Sequence, residues 1–427
     1  MRRKIILLLV CVMMLLQLTA CYDMHEITDL AFVQMVGVDM GVSDKWRLTL
    51  KFTPMREEKA GRDTERERGG ATKASTGAQT VTVDAPSFYG GISLLNTNIP
   101  QRINFSHTVL LVISEELARS GLIGEYIAPL IRFREMRRTI DVAVVSGTAQ
   151  AFIESTEELL GKSPARAVED LKFESENTGF FPRINLNDFY NAIKSTYHQP
   201  VVMLGGVYNP SNFKQEGEKY RDKLNVAGRY HAGEVPRKGG SLIEFLGSAL
   251  FDGDKMVGKL DGHETRMMLL AKGDFKRGVF TIQDPKRPEL AVPIDLRLAR
   301  KPQVRVSFKD GIPFITLKLK TEGDIVAIES RINYEDPKMT PILEKAVEQH
   351  LKTSLDDVIK KCQFLNCDVF GFGQSAVRHF LTIEEWEAYN WKGHFKEATV
   401  NTEIEFKVRR TGGLLKSSEV VSSKGKE

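Results

Sequence analysis

Cysteine is scarce in this sequence, with four in 427 residues, at positions 11, 21, 362 and 367. So few thiols exclude a disulfide-dense scaffold and leave stability to a hydrophobic core. An excess of one charge sign is missing too: 60 basic side chains face 56 acidic ones. Arg2, Arg3 and Lys4 account for most of the surplus. The remainder is nearly neutral, which gives no support for nucleic-acid binding. Long apolar runs are missing after residue 16, and no later stretch approaches the ~18 apolar residues that span a bilayer.

Catalytic signatures are also missing. There is no GxSxG and no Walker A motif, and the eight histidines are scattered singly. His263-Glu264-Thr265-Arg266-Met267 opens like HExxH, but Met267 stands where the second zinc ligand belongs, one helical turn on. Gly371–Ala376 fits GxGxxA, yet it follows a long helical pattern and not the buried strand that a dinucleotide site needs. It reads as a glycine-permitted turn. Cys362 and Cys367 lack the further nearby ligands that zinc requires and read as small buried hydrophobes, with a disulfide between them left open. The residues therefore assign no catalytic group, cofactor or metal.

What is present starts at the N-terminus. Three basic residues precede twelve without a polar side chain, Ile5–Leu16, the length of a signal-peptide core and too short to span. Leu18-Thr19-Ala20-Cys21 then resembles a bacterial lipobox, in which Cys21 carries diacylglycerol and becomes the mature N-terminus. Residues 1–20 are the expected signal. The alternatives are a secretory peptide cut nearby, with Cys21 an ordinary thiol, or an uncleaved short anchor.

The remaining ~400 residues are 42% hydrophobic and 27% charged over the whole chain, as in globular proteins. Periodicity predicts strands at 30–39 and 45–53, then a solvated charged loop at about 56–78, with a partner-binding arm as its alternative reading. Next come a strand at 79–83, a helix at 86–95 and one strand over 103–113. Short helices at 114–119, 126–132 and 148–155 alternate with a strand at 140–145. A helix at 186–195, a strand at 200–207 and a hairpin of 242–251 with 256–260 follow. A helix over 264–271 leads to strands at 279–282, 296–308 and 312–328, the last with a break at Gly323. The longest helix opens at Thr340-Pro341, with Thr340 as cap, and runs to Lys361. Helices at 368–380 and 383–391 and a strand at 398–410 complete the pattern. The expectation is an α+β protein with mixed or antiparallel sheets and flanking helices, in three domains. These are an N-terminal α/β domain at 21–172, a middle domain at 173–245 and a C-terminal α+β domain at 246–412, before a flexible tail at 413–427.

Asp261-Gly262-His263-Glu264-Thr265 groups two acids and an imidazole, but Asp261-Gly262 reads as a turn and Glu264 as a helix-start acid. On that structural reading, His263→Ala leaves folding near wild type, whereas Asp261→Ala lowers abundance.

The stretches CYDMHEITDLAFVQMVGVD, RINFSHTVLLVISEELARSGL, GSALFDGDKMVGKLDGHETRMMLL, DVFGFGQSAVRHF and VNTEIEFKVRRTG together resemble the Ger(x)C family of spore-germination lipoproteins, from Cys21 to about Gly412. The resemblance implies a three-domain α+β C subunit of a nutrient germinant receptor. It would be lipid-anchored through Cys21 to the outer face of the spore inner membrane, beside a multi-spanning A subunit and a transporter-like B subunit. The family signatures fall on Phe105–Thr108, Asp261–Thr265 and Asp368–Gly373, without a catalytic role. Tyr22 departs from the tryptophan common after the cysteine, and the loop at 56–77 is more polar than the family pattern. The alternative function is a lipid-anchored solute-binding protein that captures the germinant directly. A two-lobed βαβ pattern would favour that, and the strand series in the second half disfavours it.

Overall fold

The structure is a computed structural model that describes residues 2–6, 27–53, 79–157, 163–217 and 226–414, with fragments of the tail beyond. Cys21 and the charged loop at 56–78 lie outside the described residues. The protein is α+β, with a nine-stranded mixed sheet, a five-stranded sheet and flanking helices. Among the described residues, no helix is long and apolar enough to cross a membrane.

The large sheet grows from β1 (Leu30–Met40), LAFVQMVGVDM, which is buried along most of its length. A strand that apolar on both faces belongs in the middle of a sheet covered on both sides. On one edge it pairs antiparallel with β2 (Trp46–Phe52), which pairs with β3 (Thr80–Ala85). On the other edge lie β4 (Arg102–Asn104) and β5 (Leu110–Ser114), both parallel to β1 and in line with each other. The parallel run continues through β6 (Asp141–Val145) and β7 (Val201–Val207), and the antiparallel hairpin β8 (Ile243–Asp252) and β9 (Lys255–Leu260) closes the sheet.

Helices α1 (Phe88–Leu95), α2 (Glu115–Ser120), α3 (Ile123–Arg132), α4 (Ala149–Glu154), α5 (Pro164–Thr178) and α6 (Leu186–Lys194) connect these strands. They cover the two faces, with separate apolar clusters around Val36 and Ile127 on one side and around Met35 and Phe152 on the other.

Helix α7 (Gly262–Lys272) leads to the second sheet, formed by β10 (Gly278–Gln283), β11 (Ala291–Leu298), β12 (Gln303–Lys309), β13 (Ile312–Ile325) and β14 (Thr399–Arg410). Along β13 buried residues alternate strictly with exposed or half-buried ones, so this sheet is covered on one face only. The cover is α7 and α8 (Thr340–Phe364), whose stripe Leu343, Val347, Leu351, Leu355 and Val358 is buried. The open face carries cross-strand ion pairs, Lys318 with Glu403, Lys320 with Glu405 and Arg409 with Glu322.

Several expected elements differ. The single strand over 103–113 is two, β4 and β5, because Phe105–Thr108 turns between them. The strand over 296–308 is also two, broken around Pro302, whose ring removes a ladder donor. Helix α5 was not expected at all. Gly323 does not end β13, although the β13–β14 register shifts beside it. Thr340 does not cap α8: its hydroxyl donates upstream to Tyr334 O (2.8 Å). The helix expected over 368–380 begins only at α9 (Gly373–Ala376), and the last short helices are α10 (Ile383–Tyr389) and α11 (Trp391–His394). Strand β7, from the expected middle domain at 173–245, is built into the large sheet, and the expected boundary at 245/246 falls inside β8. The second sheet starts at Gly278.

Candidate functional site

Asp261 follows β9 and is the N-cap of α7. Its carboxylate accepts from Glu264 N (2.7 Å) and the Glu264 carboxylate accepts from Asp261 N (2.9 Å), a reciprocal capping box. Glu264 also pairs with Lys361 of α8 at 2.6 Å, which ties the two helices. Thr265 meets Ser248 of β8 at 2.7 Å, both buried. Arg266 is buried over the Phe180 ring and donates to Thr178 O (2.7 Å) and Val279 O (2.9 Å). Burial pushes its pKa down to about 9. The expected turn and helix-start acid are therefore present, in a joint where α5, α7, α8 and β10 meet.

His263 sits inside that joint, 3% exposed, with Nε2 3.0 Å from Ser354 Oγ and Nδ1 without a partner. A serine beside an imidazole is the start of a nucleophile–base pair, but the base needs a pKa near working pH and a third group to orient it. Burial, then the charges of His350, Arg229 and Arg266, hold the His263 pKa down to about 3. The ring is a neutral, weak base, and the contact is a buried hydrogen bond. Because the ring fills core space, truncating His263 to alanine would leave a cavity, which argues against wild-type folding of that variant.

The signature Asp368–Gly373 is a turn wrapped on one carboxylate. Asp368, fully buried, accepts from Gly371 N (3.0 Å), Phe372 N (3.2 Å), Gly373 N (2.9 Å) and Trp391 Nε1 (2.9 Å). Burial raises its pKa and the donors pull it back. Its backbone pairs both ways with Gln199, the residue before the Pro200 that leads into β7, and Gln199 Nε2 also reaches Asp252 of β8 (3.0 Å). Gly371 takes φ of +78°, which its lack of a Cβ permits. A Cβ on Gly373 would stand 2.1 Å from Tyr197 O. Cys362 and Cys367 are free, buried thiols whose pKa values burial raises, so they stay protonated. Phe105–Thr108 is structural in the same sense: Phe105 is fully buried, Thr108 donates to Val33 O (3.1 Å) and His107 stacks on Phe32.

Two of the clefts among the described residues are large and polar. One of about 530 Å³ opens beside Asp141, Arg183, Asn185, His198 and Lys272. Its central charge is paired internally, Asp141 with Lys172 (2.8 Å) and Arg183 (3.0 Å). The other, about 580 Å³, lies between α8 and the residues after β10, lined by Arg229, Gln283, His350, Thr353 and Ser354. Among the described residues no cluster of three or more His, Cys, Asp or Glu could hold a metal. Sequence reasoning missed Gln199, Lys172 and Asp284, the last of which accepts from Ser330, Tyr334 and two backbone amides. Their partners lie far along the chain, and no local pattern announces them.

The chain matches two family profiles in order: "Spore germination protein N-terminal domain" over residues 23–205 and "Spore germination B3/GerAC like, C-terminal" over residues 246–412. It is 23% identical over 420 residues to spore germination protein KC of Bacillus subtilis (strain 168), covering 96% of each chain. To spore germination protein B3 of the same organism it is 21% identical over 408 residues, covering 93% of this chain and 96% of the relative. The crystal structure of the GerBC protein aligns with a TM-score of 0.48 at 15% identity, covering 87% of this chain and 96% of that one.

Proposed function

The chain belongs to the GerAC-like family of spore germination proteins, and from that premise we propose that it is the non-enzymatic lipoprotein subunit of a nutrient germinant receptor. In this reading Cys21 carries the lipid, and the folded part sits on the outer face of the spore inner membrane. There it assembles with membrane-embedded A and B subunits and is required for the germination response to nutrients. The observation that supports it most is the use of the signature residues. Asp261, His263, Glu264 and Asp368 are spent on capping, burial and a turn, and none is presented to a cleft as a reactive group. A protein whose signature residues hold its shape suits a part that acts by binding other subunits.

The test is a Cys21→Ala strain scored for metabolic labelling with a palmitate analogue, membrane fractionation and nutrient-triggered germination. The expected outcome is loss of label, movement of the protein from the membrane to the soluble fraction, and a lost or delayed response. Undiminished labelling would overturn the anchoring, and normal germination in a strain lacking the chain would overturn the receptor role.

A further inference from the structure

Parallel strands run in one direction across a sheet: β4 begins opposite Leu30 at the start of β1, and β5 and β6 enter from the same side but begin further along, level with Met35. The segment between α3 and β6 is therefore gathered beside the point where the chain enters at Leu30. With the last residue of α3 that segment reads RFREMRRTI, four arginines against one acid. Arg132, Arg134, Arg137 and Arg138 are all exposed, and among the described residues none of the four makes an ion pair.

The contacts fix the segment's place. Glu135 bridges Arg102 at 3.3 Å, and Arg102 stands directly opposite Leu30 in the β4–β1 ladder. Phe133 packs on Phe105 and Tyr89 at ring separations of 5.3 and 5.5 Å. Alongside, the end of α1 touches β4 through Asn96 Oδ1 and Ile103 N, leaving Leu94 50% exposed and Tyr89 44% exposed. Arg132, Arg134, Arg137 and Arg138 thus stand with Glu135 beside an exposed leucine and tyrosine. Cys21 precedes Leu30 by nine residue steps, and nine extended residues reach at most about 30 Å. A lipid on Cys21 would keep this end of the molecule near the bilayer.

We propose that this end of the large sheet is a docking surface for an anionic lipid bilayer, with Arg132, Arg134, Arg137 and Arg138 against the headgroups and Leu94 at their boundary. The proposal rests on the anchoring through Cys21. The acyl chains on Cys21 hold the protein at a bilayer of any charge, and a basic patch next to them adds an attraction that orients the fold against an anionic one. Each arginine gains only near an anionic surface and loses with salt, because the field decays within about 10 Å at ordinary ionic strength.

The test uses the purified, lipidated full chain with Leu94→Cys carrying a fluorophore; Cys362 and Cys367 are buried and escape the label. It is bound to vesicles of phosphatidylcholine alone or with about one third phosphatidylglycerol, each containing a headgroup nitroxide quencher. The expected result is quenching roughly threefold greater on the anionic vesicles, falling to the neutral-vesicle level at high salt and in R132Q/R134Q/R137Q/R138Q. The salt titration needs no variant and so does not depend on the quadruple substitution folding. Equal quenching on both vesicles, or a salt-insensitive signal, overturns the proposal, as it would if the patch served an acidic protein surface. Flotation with neutral vesicles reads the anchor separately. If the chain fails to float there, the anchoring is wrong, and flotation with anionic vesicles alone then decides the patch: salt-sensitive binding supports it and none overturns it.

Discussion

At the scale of single residues, two buried polar groups set the expected behaviour. His263 would bind a proton at an ordinary pKa near 6.5 when unfolded, whereas the folded environment holds it down to about 3. The unfolded state therefore takes up the proton first as pH falls, and stability present above pH 6.5 is lost progressively toward pH 3. His350, lowered by burial and by Arg229, acts in the same direction. Between pH 6.5 and 5, His263 alone should cost about 2 kcal/mol. His263→Gln should be less stable at pH 7.5 yet show a flatter dependence of denaturation midpoint on pH; parallel curves for the two proteins would refute the assignment. Asp368 is the more sensitive position. Asp368→Ala leaves three backbone amides and the Trp391 indole without an acceptor in the core. Each such group costs about 1–3 kcal/mol, so the variant should fail to accumulate in pulse-chase, and a variant melting within a few degrees of wild type would contradict the network.

At the scale of elements, α8 does more than cover a sheet. Glu344, Glu348, Lys352 and Asp356 recur every four residues along one line of the helix, beside the apolar stripe. That line meets the outer edge of β14: Val408 N donates to Glu344 (3.0 Å), Phe406 N donates to Glu348 (3.0 Å), Lys352 donates to Thr402 O (2.8 Å), and the Thr402 hydroxyl donates to Asp356. An exposed edge strand invites pairing with another chain, and here helix side chains occupy its free amides. E344A/E348A should therefore lower the melting temperature and also produce concentration-dependent association in sedimentation velocity. A variant that is destabilised but stays monomeric would show that the edge is guarded by something else. The i+4 polar row was visible in the sequence, but its partner strand begins some 35 residues beyond the helix, so its purpose was not. Helix α5 shows the opposite failure. Pro164, Ala167, Val168 and Leu171 have helical spacing, but Lys172 occupies the next inward position and hides the stripe. Only the structure shows Lys172 buried against Asp141. The capping box was legible because Asp261 and Glu264 lie within one helical turn. The Asp368 turn was half legible: its glycines signalled a turn, while Gln199 lies 169 residues away.

For the whole molecule, the question is whether the two sheets are separate folding units. The C-terminal family match begins at residue 246, inside β8, yet β8 and β9 belong to the large sheet. Cutting there would strip β8 of its β7 partner and expose Leu246, Ala249 and Phe251, which pack in the core of the first half. The same hairpin gives Leu250 and Leu260 to the core of the second half. The halves are further pinned by Asp368 with Gln199, Cys367 with Phe251 O, and Arg266 with Thr178 O. Apolar surface shared in this way is lost by both halves when either unfolds, so they should lose structure together. Calorimetry of the full chain should give one transition whose van't Hoff and calorimetric enthalpies agree, and residues 246–412 made alone should show weak near-ultraviolet dichroism and bind hydrophobic dye. A polar joint could instead let the halves part independently. Two transitions well separated in temperature, or a cooperatively melting 246–412 fragment, would establish that the β8–β9 hairpin is a detachable strap between autonomous domains.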